Sequence, residues 1–124
     1  MNTTVYLDGK TLNIDSVWRV AHLNEKVGFD ETCLKGMLAS RNFIEDFLKR
    51  GETVYGVNTG FGALSSVAIK SDQIIELQKN LIRSHSVGIG EVFTVPETRA
   101  ILLLRANALV RGHSAVRPAV VEKI

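Results

Sequence analysis

The stretch Tyr55-Gly56-Val57-Asn58-Thr59-Gly60-Phe61-Gly62 puts a phenol at the head of a glycine-rich segment. Gly56, Gly60 and Gly62 let the backbone take positive φ and approach a ligand closely. A phosphate loop needs Gly-x-x-x-x-Gly-Lys-Ser/Thr, and a dinucleotide site needs Gly-x-Gly-x-x-Gly; neither pattern is present. Composition alone therefore favours a surface loop with glycines for turns. The group in this segment that could do chemistry is the phenol of Tyr55. A free phenol has a pKa of ~10 and is a poor base at neutral pH. It needs a cation, a helix N-terminus or hydrogen bonds to stabilise phenolate. A mobile glycine loop can deliver such a base and close over a substrate, excluding water.

A second pair, Ser84-His85, lies at the end of a helical pattern. His85 follows Ile74, Leu77 and Leu81 on one stripe, which by itself reads as a core histidine. The alternative is a polar contact at a site, since either ring nitrogen can hydrogen-bond. His22 reads as a helix-surface residue, and His113, after a helix end, as structural or solvated. The single cysteine, Cys33, excludes an internal disulfide and reads as a small buried apolar residue. Cys and His do not cluster, so no metal site is expected.

The elements that must position these residues follow from periodicity. The fold class expected is mainly α: a small N-terminal β-hairpin, then about four helices with a long glycine-rich loop. Residues 4–12 read as the hairpin, with Asp8-Gly9 as its turn. Helix 1 spans about 14–24, capped by Asn13, with Ile14, Val17, Trp18 and Ala21 as its apolar face. Residues 26–29 read as a short extended connection. Helix 2 spans about 31–50 behind Asp30, with Leu34, Met37, Leu38, Ile44, Phe47 and Leu48 at helical spacing. The tyrosine loop, 52–70, shows no helical period, and long loops of this kind are usually functional or disordered. Helix 3 spans about 72–86 with Ser71 as its cap. Helix 4 spans about 96–111, introduced by the capping box Thr94-Val95-Pro96-Glu97 and stopped by Gly112. Another helix begins after Pro118.

Helix 4 is apolar nearly all round, from Ile101 to Leu104 and on through Ala106, Ala108, Leu109 and Val110. Such a helix belongs inside a larger body. The expectation is one incomplete domain, 1–124, that lacks part of its surroundings or self-associates. At 124 residues, 45% hydrophobic, 23% charged and with net charge +2, the chain is globular in composition. No basic stripe suggests nucleic acid. No leader is visible and no run reaches the ~18 apolar residues of a membrane span, so a cytoplasmic location is expected. The sequon Asn2-Thr3-Thr4 reads as accidental.

Three stretches in order carry a resemblance that covers most of residues 4–120. Tyr-Gly-Val-Asn-Thr-Gly-Phe-Gly at 55–62 resembles the tyrosine loop of the aromatic amino acid ammonia-lyases and aminomutases. Leu77–Gly90 and Leu104–Arg117 resemble the same family, although relatives usually have glycine where Ala115 stands. The resemblance implies a helical lyase fold with Tyr55 as the base that removes a β-proton before ammonia leaves. It places Gly56, Asn58, Thr59, Gly60, Phe61 and Gly62 in the loop that carries it. It also makes Ser84 and His85 substrate-sorting residues, and Ser-His looks like the histidine-specific members, which yield urocanate. Phenylalanine- or tyrosine-specific lyases, aminomutases and a non-catalytic assembly module stand as alternatives.

The family's electrophile, 4-methylideneimidazol-5-one, forms from an internal Ala-Ser-Gly. This chain has none; Ala39-Ser40 is followed by Arg41. The resemblance thus implies an N-terminal portion that is inactive alone. The implied partners are L-histidine or a related amino acid, the remainder of the lyase, and further copies in a homo-oligomer.

Overall fold

A computed structural model describes residues 4–124. Asn2 and Thr3 of the sequon lie outside the described residues. The chain runs β1 (Thr4–Leu7), α1 (Ile14–Leu23), β2 (Lys26–Phe29), α2 (Glu31–Lys49), α3 (Ile74–His85), α4 (Val95–Leu109) and α5 (Pro118–Lys123), with short 3-10 turns at Gly62–Leu64 and Ser71–Gln73. It is mainly helical, as expected. It divides into two compact units, one of residues 4–44 and 92–124, the other of residues 45–91.

The hairpin expected over residues 4–12 does not form. β1 instead pairs in parallel with β2, in a register that sets Thr4 opposite Lys26 and Leu7 opposite Phe29. The turn signal at Asp8-Gly9 is nonetheless used. Asp8 Oδ1 accepts the N–H groups of Lys10 and Thr11 at 2.7 and 2.8 Å, and Oδ2 accepts the Thr11 hydroxyl at 2.8 Å. Gly9 takes φ +73° and donates its N–H to Asn107 Oδ1 at 3.0 Å. The turn therefore sends the chain into α1 rather than back along β1. Parallel strands need a crossover, and α1 supplies it.

Asn13 caps α1 by accepting from Ser16 N at 2.9 Å, and Asp30 caps α2 by accepting from Cys33 N at 2.9 Å. The apolar face of α1 is rotated from the one expected: Val20 and Ala21 are buried, whereas Ile14 is 86% and Trp18 53% exposed. Trp18 stacks on the exposed His22 ring at 5.2 Å. Val5, Leu7, Val20, Met37, Leu103, Ala106, Val110 and Val121 form the core of the first unit. Cys33 packs against this core, and burial raises its thiol pKa.

The Thr94–Glu97 capping box forms as expected. Gly112 ends the α4 segment at φ +72°, so close to α2 that a Cβ there would sit 2.7 Å from the Gly36 carbonyl carbon. On α4 only Leu103 and Ala106 are buried, while Ile101 and Leu104 remain about half exposed. Ala115 takes φ +51°, the left-handed region. That backbone is the physical reason a glycine suits this position. No helix among the described residues is long and apolar enough to cross a membrane.

Candidate active site

The site lies in the second unit and is built from the 52–70 segment and α3. That segment is not structureless, as its sequence suggests. A bridge joins Thr59 to Ala68, with Gly60 N donating to Val67 O at 3.1 Å and Ile69 N to Asn58 O at 2.9 Å. A 3-10 turn follows at Gly62–Leu64. Gly56 and Gly62 take φ of +74° and +56°, which is why glycine is needed at both. Gly60 is buried within the bridge.

Tyr55 sits in a turn bonded on both sides of it. Before it, Asn58 Oδ1 accepts the Val54 N–H at 2.7 Å, and Asn58 Nδ2 donates to Glu52 O at 2.9 Å. After it, Gly56 N donates to the Thr59 hydroxyl at 3.3 Å, and that hydroxyl donates to Gly60 O at 3.0 Å. Thr59 is buried with its hydroxyl thus satisfied. The Tyr55 ring meets Phe61 edge-on, with centroids 6.0 Å apart and planes at 72°. The phenol itself is 64% exposed.

α3 provides the facing wall. Gln73, which precedes it, makes no side-chain cap bond, and the expected cap, Ser71, lies instead in the preceding 3-10 turn. At the other end, Ser84 Oγ donates to Leu81 O at 3.0 Å and lies 3.0 Å from His85 Nδ1. His85 Nδ1 is also 2.9 Å from Leu81 O, a contact in which the ring nitrogen carries the proton. His85 is exposed, not a core histidine.

Tyr55, Phe61, Leu77, Asn80, Leu81, Ile82, Ser84 and His85 line one open depression of about 870 Å³. Of the residues expected from sequence to act, Tyr55, Phe61, Ser84 and His85 are brought together there. Asn58 and Thr59 face the turn backbone and shape it. Leu77 and Leu81 were read from sequence only as the apolar stripe that leads to His85, and neither they nor Asn80 and Ile82 were expected as site residues. Their signal is spacing: positions 77, 81, 84 and 85 share one face of a helix. The lining holds no lysine or arginine, so a substrate carboxylate finds no ion-pair partner among these residues.

The aromatic amino acid lyase family model matches residues 12–124. A histidine ammonia-lyase from Geobacillus sp. (strain WCH70) is 44% identical over 120 residues, covering 97% of this chain and 24% of that protein. Among solved structures, a tyrosine aminomutase from Streptomyces globisporus superposes with a TM-score of 0.91 at 38% identity, covering 98% of this chain and 23% of its own. A histidine ammonia-lyase from Trypanosoma cruzi gives a TM-score of 0.87 at 36% identity, with 98% and 23% covered. The chain thus spans about a quarter of the length of the relatives it matches. A family match across nearly the whole chain, joined to a superposition that covers 98% of it, means that this chain belongs to the aromatic amino acid lyase family.

Proposed function

We propose that these residues supply the proton-abstracting side of a histidine ammonia-lyase. The observation that carries this reading is the shared depression. Tyr55 and the Ser84-His85 pair, on separate elements, face the same space. Phe61 and Leu77, Leu81 and Ile82 give that space apolar walls for an aromatic side chain, and His85 gives it a ring that can hydrogen-bond an imidazole. In the reaction, Tyr55 Oη takes the β-proton. The C–H electron pair becomes the Cα–Cβ double bond, and the Cα–N bond breaks to release ammonia.

In full-length members of the family the electrophile 4-methylideneimidazol-5-one makes that β-proton acidic. The residues present do not fit its formation, because Ala39-Ser40 runs into Arg41 in the middle of α2. The electrophile and the carboxylate-binding groups would come from sequence corresponding to the remainder of the relatives.

The test is to combine the chain with the complementary three-quarters of a relative lyase and follow the ultraviolet absorbance of the conjugated acid. Turnover is expected from the complex and not from the chain alone. In that complex Tyr55→Phe is expected to lower kcat by about 10²–10⁴-fold while KM changes little. Turnover retained by Tyr55→Phe overturns the assignment of the base. An aminomutase reading has support from the 0.91 superposition on a tyrosine aminomutase. It is distinguished by its product, a β-amino acid in place of free ammonia and a conjugated acid.

A further inference from the structure

Tyr55 has to be held at a set distance from Ser84 and His85, yet it rides on a separate segment. The turn around it is internally bonded on both sides, by Asn58 at Val54 N and by Thr59 at Gly56 N. Such a turn moves as a block, so an anchor on its backbone sets the pose of the phenol. Gln78 occupies the place for that anchor. Its side chain leaves α3 between Leu77 and Lys79, and Nε2 lies 3.4 Å from Gly56 O and 3.5 Å from Val57 O. One amide nitrogen thus reaches two successive carbonyls directly after Tyr55. Ser84 and His85 stand on the same helix, six and seven residues further on.

We propose that Gln78 is a positioning residue that fixes the Tyr55 turn against the Ser84-His85 wall. This rests on the reading of Tyr55 as the base. The chemistry is specific to a donor. Both targets are carbonyl oxygens, so an isosteric carboxylate at position 78 offers them no proton and repels them, whereas an ammonium keeps the donation. The two bonds are long and part-buried, which leaves the latch adjustable while the shorter bonds inside the turn keep its shape.

The chain contains two tyrosines, and Tyr6, in β1, serves as an internal reference. With carbon-13-labelled tyrosine rings, Gln78→Glu is expected to shift or broaden the Tyr55 resonances and leave those of Tyr6 unchanged. Gln78→Lys is expected to restore them toward the parent. An unmoved Tyr55 ring in Gln78→Glu overturns the proposal, and so does an equal change in both rings, which marks a general loss of structure. In the complemented lyase, misplacing the base by Gln78→Glu is expected to lower kcat by about 10- to 100-fold with KM within about threefold. Unchanged kcat there also overturns it. Failure of the base assignment is read separately, from Tyr55→Phe.

Discussion

Ala115 stands where a β-carbon is unwelcome. Its φ of +51° costs an L-residue about 1–2 kcal/mol, while a glycine would lose about 0.4–1 kcal/mol more entropy on folding. Ala115→Gly is therefore expected to stabilise the first unit by about 0.5–1 kcal/mol in a denaturant melt. A destabilised variant would mean the methyl group packs usefully. Asp8 makes a second prediction. Its carboxylate accepts two backbone N–H groups and a hydroxyl, which favours the charged form and lowers its pKa from 3.8 to about 2. A depressed folded value means its stabilising contribution is in place above pH 3.8 and is lost as pH falls through about 2. A carbon-13 titration of the Asp8 carboxyl should show a midpoint near 2; one near the ordinary value would refute the turn geometry. At this scale the meeting of Tyr55 and His85 at one depression was legible, because their types and spacing match a known pattern. The duties of Asn58, Thr59 and Gln78 were not, because polar side chains that bond backbone carbonyls and N–H groups leave no periodic mark in a sequence.

The elements came through their caps. Asn13, Asp30 and Thr94 each end up accepting the N–H three residues on, because a short polar side chain at a helix start has that donor within reach. Strand pairing did not come through. Asp8-Gly9 is a sound turn signal, but a turn says only that the chain changes direction. Pairing β1 with β2 depends on α1 lying across the gap and on Val5 and Leu7 finding cover from α4 and α2, which are long-range contacts. The α2 and α4 segments are themselves fitted closely at Gly112. A β-carbon there would lie 2.7 and 2.8 Å from the carbon and oxygen of the Gly36 carbonyl and 3.0 Å from Met37 N, all backbone atoms, and φ is +72°. Gly112→Ala is expected to cost about 2–4 kcal/mol in thermal or denaturant unfolding. A loss below about half a kcal/mol would show that α2 yields at Gly36.

For the molecule as a whole, the exposed apolar surface of α4 sets the expectation for behaviour in solution. Ile101, Leu102 and Leu104 are 49%, 39% and 54% exposed on a helix that has no broad polar face. Patches of this kind mark association surfaces. The isolated chain is expected to sediment as oligomers at micromolar concentration, and Leu104→Glu with Ile101→Lys should shift it toward monomer. A stable monomer of the parent chain would contradict this. The over-apolar character of α4 was legible in sequence; which of its residues are buried was not, since that depends on where α1 and α5 lie.

The first unit is assembled from two stretches, residues 4–44 and 92–124, with residues 45–91 spliced between them. On a ribosome this sets an order of events. β1 waits for residues 26–29 to emerge, and the amide of Gly9 waits for Asn107. The segment bearing Tyr55 is fully translated before the scaffold on either side of it in the chain can close. That closure spans 98 residues of sequence, and ring-closure entropy grows only as the logarithm of that length. Closure of the first unit should accordingly follow emergence of the tyrosine segment rather than precede it.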